Sequence, residues 1–129
     1  MSTKKRIWLT GASSGIGRAM AEKLAAKGHL LALSARSAEP LQGLADRFPG
    51  QILVLPADMT DAAAVKAAGE TIAREWGALD WAILNAGTCE YVDVEAFEAA
   101  MFQRVMDTNV VGTANCIEAA LPLLRNGTE

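Results

Sequence analysis

The strongest constraint on this chain is a set of four short runs that are apolar at consecutive positions. They are Ile7-Trp8-Leu9, Leu30-Leu31-Ala32-Leu33, Ile52-Leu53-Val54-Leu55 and Trp81-Ala82-Ile83-Leu84. A strand with one wet face alternates apolar and polar residues. A strand apolar at successive positions is covered on both faces, as in parallel sheets. Longer stretches of helical periodicity lie between the runs. Ile16, Met20 and Leu24 mark one face of a first helix, which Gly28 ends. A weaker helix spans Leu41 to Phe48, with Gly43 lowering its propensity and Pro49-Gly50 stopping it. A third starts at Thr60 or Asp61, either a competent cap, repeats Val65, Ala68, Ile72 and Trp76, and closes at Gly77. Val94, Phe97, Met101 and Val105 mark another helical face, and Val110, Ala114, Ile117, Leu121 and Leu124 one more. These last two form one bent helix or two, with the break between Asp107 and Asn109. Strand and helix thus alternate, and right-handed crossovers turn that alternation into an α/β fold. The expectation is an open, doubly wound parallel sheet in the order 3-2-1-4 with helices on both faces.

The chain has 129 residues, enough for one domain, 1–129. Half of it is apolar (51%), so it can build a core. The net charge is −3 with both signs mixed along the chain, which excludes the basic face of a nucleic-acid binder. Lys4, Lys5 and Arg6 form the sole basic cluster and read as a solvated start to the first strand. No apolar stretch approaches the roughly 18 residues of a membrane span, so no membrane partner is expected. Cys89 and Cys116 lie far apart and no Cys/His ligand spacing exists. Neither a disulfide framework nor a metal site is expected; both read as buried small apolar residues in a reducing cytoplasm. The lone His29, at the start of the second run, reads as structural.

The chemistry-bearing segment is Thr10-Gly11-Ala12-Ser13-Ser14-Gly15-Ile16-Gly17, which joins the first apolar run to the first helix. A helix N-terminus offers unpaired N–H groups and the positive end of its dipole. A diphosphate docks there if no side chain blocks the backbone. Gly11 makes the tight turn, Gly15 permits close approach, and Gly17 lets the helix lie near the sheet. The alternative is a turn that merely reverses the chain. A P-loop is excluded because no GK[ST] follows.

The spacing G-x-x-x-G-x-G resembles the TGxxxGIG signature of the short-chain dehydrogenases/reductases, in its single-domain branch. That resemblance implies a Rossmann-like domain that binds a nicotinamide dinucleotide, with Gly11, Ser13, Ser14, Gly15, Ile16 and Gly17 forming the cradle. At the end of the second strand an acid would bond the ribose hydroxyl of NAD, and an arginine would take the 2′-phosphate of NADP. The sequence reads Leu33-Ser34-Ala35-Arg36-Ser37, with no acid. A guanidinium fork matches phosphate geometry, and Ser34 or Ser37 offers further hydrogen bonds. NADP(H) is therefore expected, with NAD(H) possible; the plain alternative is an ordinary surface arginine.

By the same resemblance Asp58, with the backbone of Met59, contacts the adenine; a helix-capping Asp is the competing reading. Asn85-Ala86-Gly87 looks like the family's N-A-G motif, with Asn85 bracing neighbouring backbone and Gly87 letting the chain pass close to the ribose. Asn109 resembles the asparagine of the family's catalytic tetrad, which holds a water beside the catalytic lysine; otherwise it marks a bend. Glu90, Tyr91 and Asp93 fall near the expected substrate position. Tyr91 is the sole tyrosine, and Glu95 stands four residues on, so it is not the base of a Tyr-x-x-x-Lys pair. The resemblance covers the whole chain but about the first half of the family's length, ending before the family's Ser, Tyr and Lys. It implies hydride transfer with a small-molecule carbonyl or alcohol, while the 129 residues alone are expected to be inactive. A non-catalytic dinucleotide-binding module or redox sensor is the alternative, and a phosphate-binding α/β protein a third. An uncovered fourth strand makes a homo-oligomer expected.

Overall fold

The computed structural model describes residues 4–87 and 94–127. Cys89, Glu90, Tyr91 and Asp93 lie outside the described residues. Four strands form one parallel sheet: β1 (Arg6–Thr10), β2 (Leu30–Ser34), β3 (Ile52–Val54) and β4 (Trp81–Leu84). The order is β3-β2-β1-β4, as the alternation of runs and helices predicts. Ile7 pairs with Leu31 and with Trp81, and Leu31 in turn with Ile52. Among the described residues five α-helices connect and follow the strands: α1 (Gly15–Ala26), α2 (Ala38–Arg47), α3 (Ala62–Trp76), α4 (Ala99–Met106) and α5 (Gly112–Leu124).

The consecutive apolar residues of β1 and β2 divide between two cores, whereas Trp81 at the start of β4 is exposed and belongs to neither. Ile7, Leu9, Leu31 and Leu33 face Ala21 and Ala25 of α1 and Leu41 and Leu44 of α2. Trp8 and Ala32 face the other way, onto Val65, Ala68 and Ile72 of α3 and Cys116, Ala120 and Leu123 of α5. Both faces of the sheet are therefore covered, which explains the absence of alternation in the strands. The Trp8 indole is fully buried and satisfies its N–H on Ser34 Oγ at 2.9 Å.

Local signals set both ends of α3 and the close of α1. Asp61 caps α3 by accepting from the Ala64 N–H at 3.1 Å, and Gly77 ends it in the left-handed conformation with φ 76°. Gly28 (φ 91°) donates to Ala25 O beyond α1. Helix α2 begins at Ala38, earlier than the Leu41 expected from periodicity. Pro40 falls in its first turn, where the missing N–H has no intrahelical role.

Several expectations about faces need correction. Helix α1 buries Gly17, Ala21 and Ala25, while Ile16 is 74% exposed and Met20 and Leu24 only flank the core. Small residues win that face because α1 lies close to the sheet. Val94 and Phe97 are exposed and belong to no α-helix; a 3-10 turn spans Val94–Ala96. Helices α4 and α5 are joined by a π-helical segment, Asp107–Val111. The apolar stripe Val110, Ile117 and Leu121 is exposed, and the buried face is Gly112, Cys116, Ala120 and Leu123. Arg6 is no solvated start. Its side chain bonds Asp80 through Nε and Nη2, both at 3.1 Å, and Asp80 is only 3% exposed. That pairing raises the guanidinium pKa, against the opposing effect of burial. His29 accepts the Lys5 backbone N–H on Nδ1 at 3.0 Å. Cys116 is buried against Met59, and burial pushes its thiol pKa up to about 11.

Candidate functional site

In a doubly wound sheet the strands at the reversal of winding diverge at their carboxyl ends, and a crevice opens there. Here β1 and β4 form that pair. A cleft of about 660 Å³ lies at this edge. It runs from the turn after β1, past the ends of β2 and β3, to the end of β4 and the α4–α5 junction.

The glycine turn forms its floor. Gly11 has φ 67°, and a Cβ on it would stand 2.9 Å from the Ala86 backbone, so the turn packs directly onto the end of β4. Gly17 is tighter still: a Cβ there would strike the Gly11 carbonyl and come within 2.6 Å of Asn85 Nδ2. Gly15 differs from both. Its φ is 57°, and a Cβ would meet nothing within 4 Å. Ser14, the N-cap residue of α1, makes no capping hydrogen bond with its side chain. The start of α1 is therefore open beside Gly15 and carries no cap from the Ser14 side chain, while Gly17 is buried against the Gly11 carbonyl. A diphosphate fits such a cradle. Ser13, Ser14 and Ile16 line the same end of the cleft.

Sequence reasoning gave Thr10 no role of its own. It is 1% exposed, and its Oγ1 accepts the N–H groups of Asn85 at 3.0 Å and Ala86 at 3.1 Å. Asn85 Nδ2 returns a bond to the Gly11 carbonyl at 3.3 Å. The glycine turn and the Asn85-Ala86-Gly87 segment are thus one hydrogen-bonded unit. The available signal was a hydroxyl residue at the last position of a buried strand.

Arg36 is exposed on the cleft wall, with Asp58 and Met59 also lining it. Ser34 is withdrawn from that role. It is fully buried and its Oγ is taken by Trp8, so it does not help Arg36. Asp58 does not cap α3, since Asp61 does. Its Oδ1 accepts the Thr60 N–H at 2.9 Å and the Thr60 hydroxyl at 2.7 Å. Those two bonds, in that order, hold its carboxyl below the usual carboxylate range; partial burial opposes them and the nearby Arg36 charge adds to them. Asp58 is therefore an anion near neutral pH.

The π-helical segment supplies the far wall. Such one-turn widenings expose backbone and side chains that a regular helix would turn away. Asp107 and Thr108 line the cleft together with Arg104 of α4, three residues not singled out from sequence. Asn109 is exposed and does not line the cleft itself; its Oδ1 lies 3.2 Å from where a Gly87 Cβ would be. Gly87 is thereby held against Asn109, and a larger residue would push the two apart. Among the described residues no cluster of three His, Cys, Asp or Glu side chains is placed to hold a metal.

The family model for short chain dehydrogenases matches residues 5–129. NADPH-dependent pterin aldehyde reductase of Arabidopsis thaliana is 36% identical, the match covering 93% of this chain and 51% of the relative. Dehydrogenase/reductase SDR family member 7 of Mus musculus is 34% identical over 90% of this chain and 36% of its own length. Among solved structures, L-sorbose reductase from Gluconobacter frateurii complexed with NADPH and L-sorbose superposes with TM-score 0.85 at 26% identity, over 96% of this chain and 49% of that one. A short-chain dehydrogenase from Streptomyces avermitilis superposes with TM-score 0.88 at 29% identity, over 96% of this chain and 46% of that one. The chain thus spans between about a third and a half of the relatives it matches. Glycine turn, sheet order and family match agree, and this chain belongs to the short-chain dehydrogenase/reductase family of oxidoreductases.

Proposed function

We propose that these 129 residues are the dinucleotide-binding part of an NADP(H)-dependent oxidoreductase acting on a small carbonyl or alcohol. One observation carries the reading: the uncapped start of α1, open above Gly15, leads into a cleft whose wall carries Arg36 and no acid at the end of β2. The relative named for NADPH dependence and the NADPH-complexed neighbour support it.

When bound, the nicotinamide ring supplies or accepts the hydride. The chain's own groups have holding roles. The amides at Gly15, Ile16 and Gly17 carry the diphosphate, with the Ser13 and Ser14 hydroxyls beside it. Arg36 takes the 2′-phosphate. Asp58 and the Met59 backbone receive the adenine. Asn85, Ala86 and Gly87 shape the ribose passage, Gly11 keeps that passage against the turn, and Asn109 holds a water at the far wall.

Arg36→Asp is the direct test. A charged hydrogen bond is worth about 1.5–3 kcal/mol, so calorimetry should show NADPH affinity falling by about one to two orders of magnitude, with NADH gaining relative to it. Unchanged NADPH affinity would make Arg36 a bystander and leave NAD(H) equally favoured. A binding module or redox sensor without catalysis is the second reading. Turnover of NADPH with a small carbonyl panel by the 129-residue chain would overturn that module reading.

Self-association belongs to the same proposal. Among the described residues Phe102, Met106, Val110, Ile117 and Leu121 present an exposed apolar stripe. Such surface favours pairing between copies, and light scattering should report a mass above the monomer. Among the described residues no helix is long and apolar enough to cross a membrane, and a cytoplasmic location is proposed with the soluble oxidoreductase reading.

A further inference from the structure

The loop between β3 and α3 forms one wall of the cleft, and its internal ties are the Asp58 carboxylate bonds to Thr60 and two backbone bonds. Ala57 N–H donates to Ala35 O at 2.9 Å, and Asp61 N–H closes back on Asp58 O at 2.9 Å. Between those ties Asp58 and Thr60 are exposed, while Met59 is 5% exposed. Met59 is held from α5. Asn115 Nδ2 donates to the Met59 carbonyl at 2.8 Å, and Cys116 Sγ contacts Met59 Sδ at 3.0 Å. A Cβ on Gly112 would stand 3.1 Å from Met59 Cβ, so the backbones are as close as glycine allows. Positions 112, 115 and 116 share one helix face by their three- and four-residue spacing.

We propose that Asn115 is a positioning residue of the cleft: through the Met59 carbonyl it fixes the loop that forms the adenosine wall. This rests on the dinucleotide reading above. The choice of residue supports it. The rest of that face is apolar or small (Gly112, Cys116, Ala120), and packing α5 onto the core asks only for more of the same. An amide adds one directional bond, and it is spent on a carbonyl of the cleft loop. Fixing that carbonyl restricts the loop before ligand arrives, so less ordering is left to binding. Asn115 touches neither ligand nor reacting atoms in this role.

The test compares wild type with Asn115→Leu, which keeps bulk and removes the donor, and with Asn115→Ser should the leucine variant fail to fold. Two readouts are taken at a temperature well below melting. Amide hydrogen exchange at Met59 and Thr60 should speed up by about fivefold or more, the equilibrium of one hydrogen bond of about 1 kcal/mol, with α3 and α5 amides unchanged. Calorimetric affinity for 2′,5′-ADP and for NADPH should fall together by about fivefold, with that for reduced nicotinamide mononucleotide unaltered. Loss of melting temperature with unchanged exchange and unchanged 2′,5′-ADP affinity would make Asn115 a packing residue and overturn the proposal. Wild type binding neither NADPH nor 2′,5′-ADP would instead overturn the dinucleotide reading. The exchange readout would still judge the loop clamp by itself.

Discussion

Adding one methyl group at Gly17 should disable the cleft more severely than adding it at Gly15, although both glycines belong to the same turn. At Gly17 the new Cβ strikes the Gly11 carbonyl and lies 2.6 Å from Asn85 Nδ2. The carbonyl is backbone and cannot rotate away, so the first turn of α1 must shift. Overpacking of this kind costs about 1–3 kcal/mol, and the upper end applies where backbone is struck. Alanine returns about 1 kcal/mol of helix propensity over glycine, which leaves a net loss of about 2 kcal/mol. Gly15→Ala meets open space, and its penalty is the left-handed φ of 57°, about 1–2 kcal/mol. The two variants therefore differ in kind. Gly17→Ala moves the Asn85 brace and the helix start, so it should lower the urea midpoint and weaken NADPH together. Gly15→Ala leaves the Asn85 brace in place and puts a methyl on the open cradle, so beyond the stability lost to its φ NADPH affinity falls by about tenfold or more, about 1.4 kcal/mol. Urea titrations followed by far-ultraviolet circular dichroism give the first quantity, and calorimetry the second. A Gly17→Ala protein with wild-type midpoint and wild-type NADPH affinity would refute the close-approach argument, and with it the geometry of the turn.

Thr10→Val keeps the shape of the side chain and strips the acceptor from two N–H groups, a loss of about 1–3 kcal/mol that Thr10→Ser should restore in urea melts. Asp80→Ala removes the partner of an Arg6 side chain that keeps 27% exposure; losing these charged hydrogen bonds should cost about 1–3 kcal/mol, read as a lowered urea midpoint with cleft residues untouched. Asp58 has a lowered pKa in the folded state. Its contribution is therefore present above the unfolded value of about 4 and is lost as pH falls through the folded pKa. Melting curves of wild type and Asp58→Asn should lie apart near neutral pH and converge in acid; a gap that widens on acidification contradicts the sign.

The parts of the molecule that local physics decides were legible in the sequence. Each strand lies within or about its apolar run because residues buried on two faces have no polar alternate position to betray a register. Gly11, Gly15, Gly28 and Gly77 all take positive φ, where side chains are strained, so their punctuation of strand and helix could be read directly. Features set by meetings across the chain were not legible. Ser34 looks like a free hydroxyl beside Arg36 until Trp8, 26 residues away, claims it. Arg6 looks like one of three surface cations until Asp80, 74 residues away, pairs with it. Thr10 is unremarkable in the sequence because its two donors come from Asn85 and Ala86, on another strand end.

Helix α5 shows why periodicity alone cannot choose a face. Its sequence supports two apolar stripes: Val110, Ala114, Ile117, Leu121 and Leu124, built of larger side chains, and Gly112, Cys116, Ala120 and Leu123, built mostly of small ones. Ranking by hydrophobicity selects the first stripe; the structure buries the second. The reason is distance. Gly69 of α3 places a would-be Cβ 3.4 Å from Ala119, and Gly112 brings α5 within 3.1 Å of a would-be contact with Met59. Only a face of small residues lets α5 come that near, and only from that near does Asn115 reach the Met59 carbonyl. The same logic corrects α1, where Gly17, Ala21 and Ala25 took the face that Ile16 seemed to mark. In both helices the residues that look least hydrophobic set the approach, and the approach sets the cleft: α1 brings its amides to the end of β4, and α5 holds the loop opposite. The larger apolar side chains left outside on α4 and α5 then remain for surfaces beyond the sheet, which is the physical ground for expecting this face to be covered in an assembly.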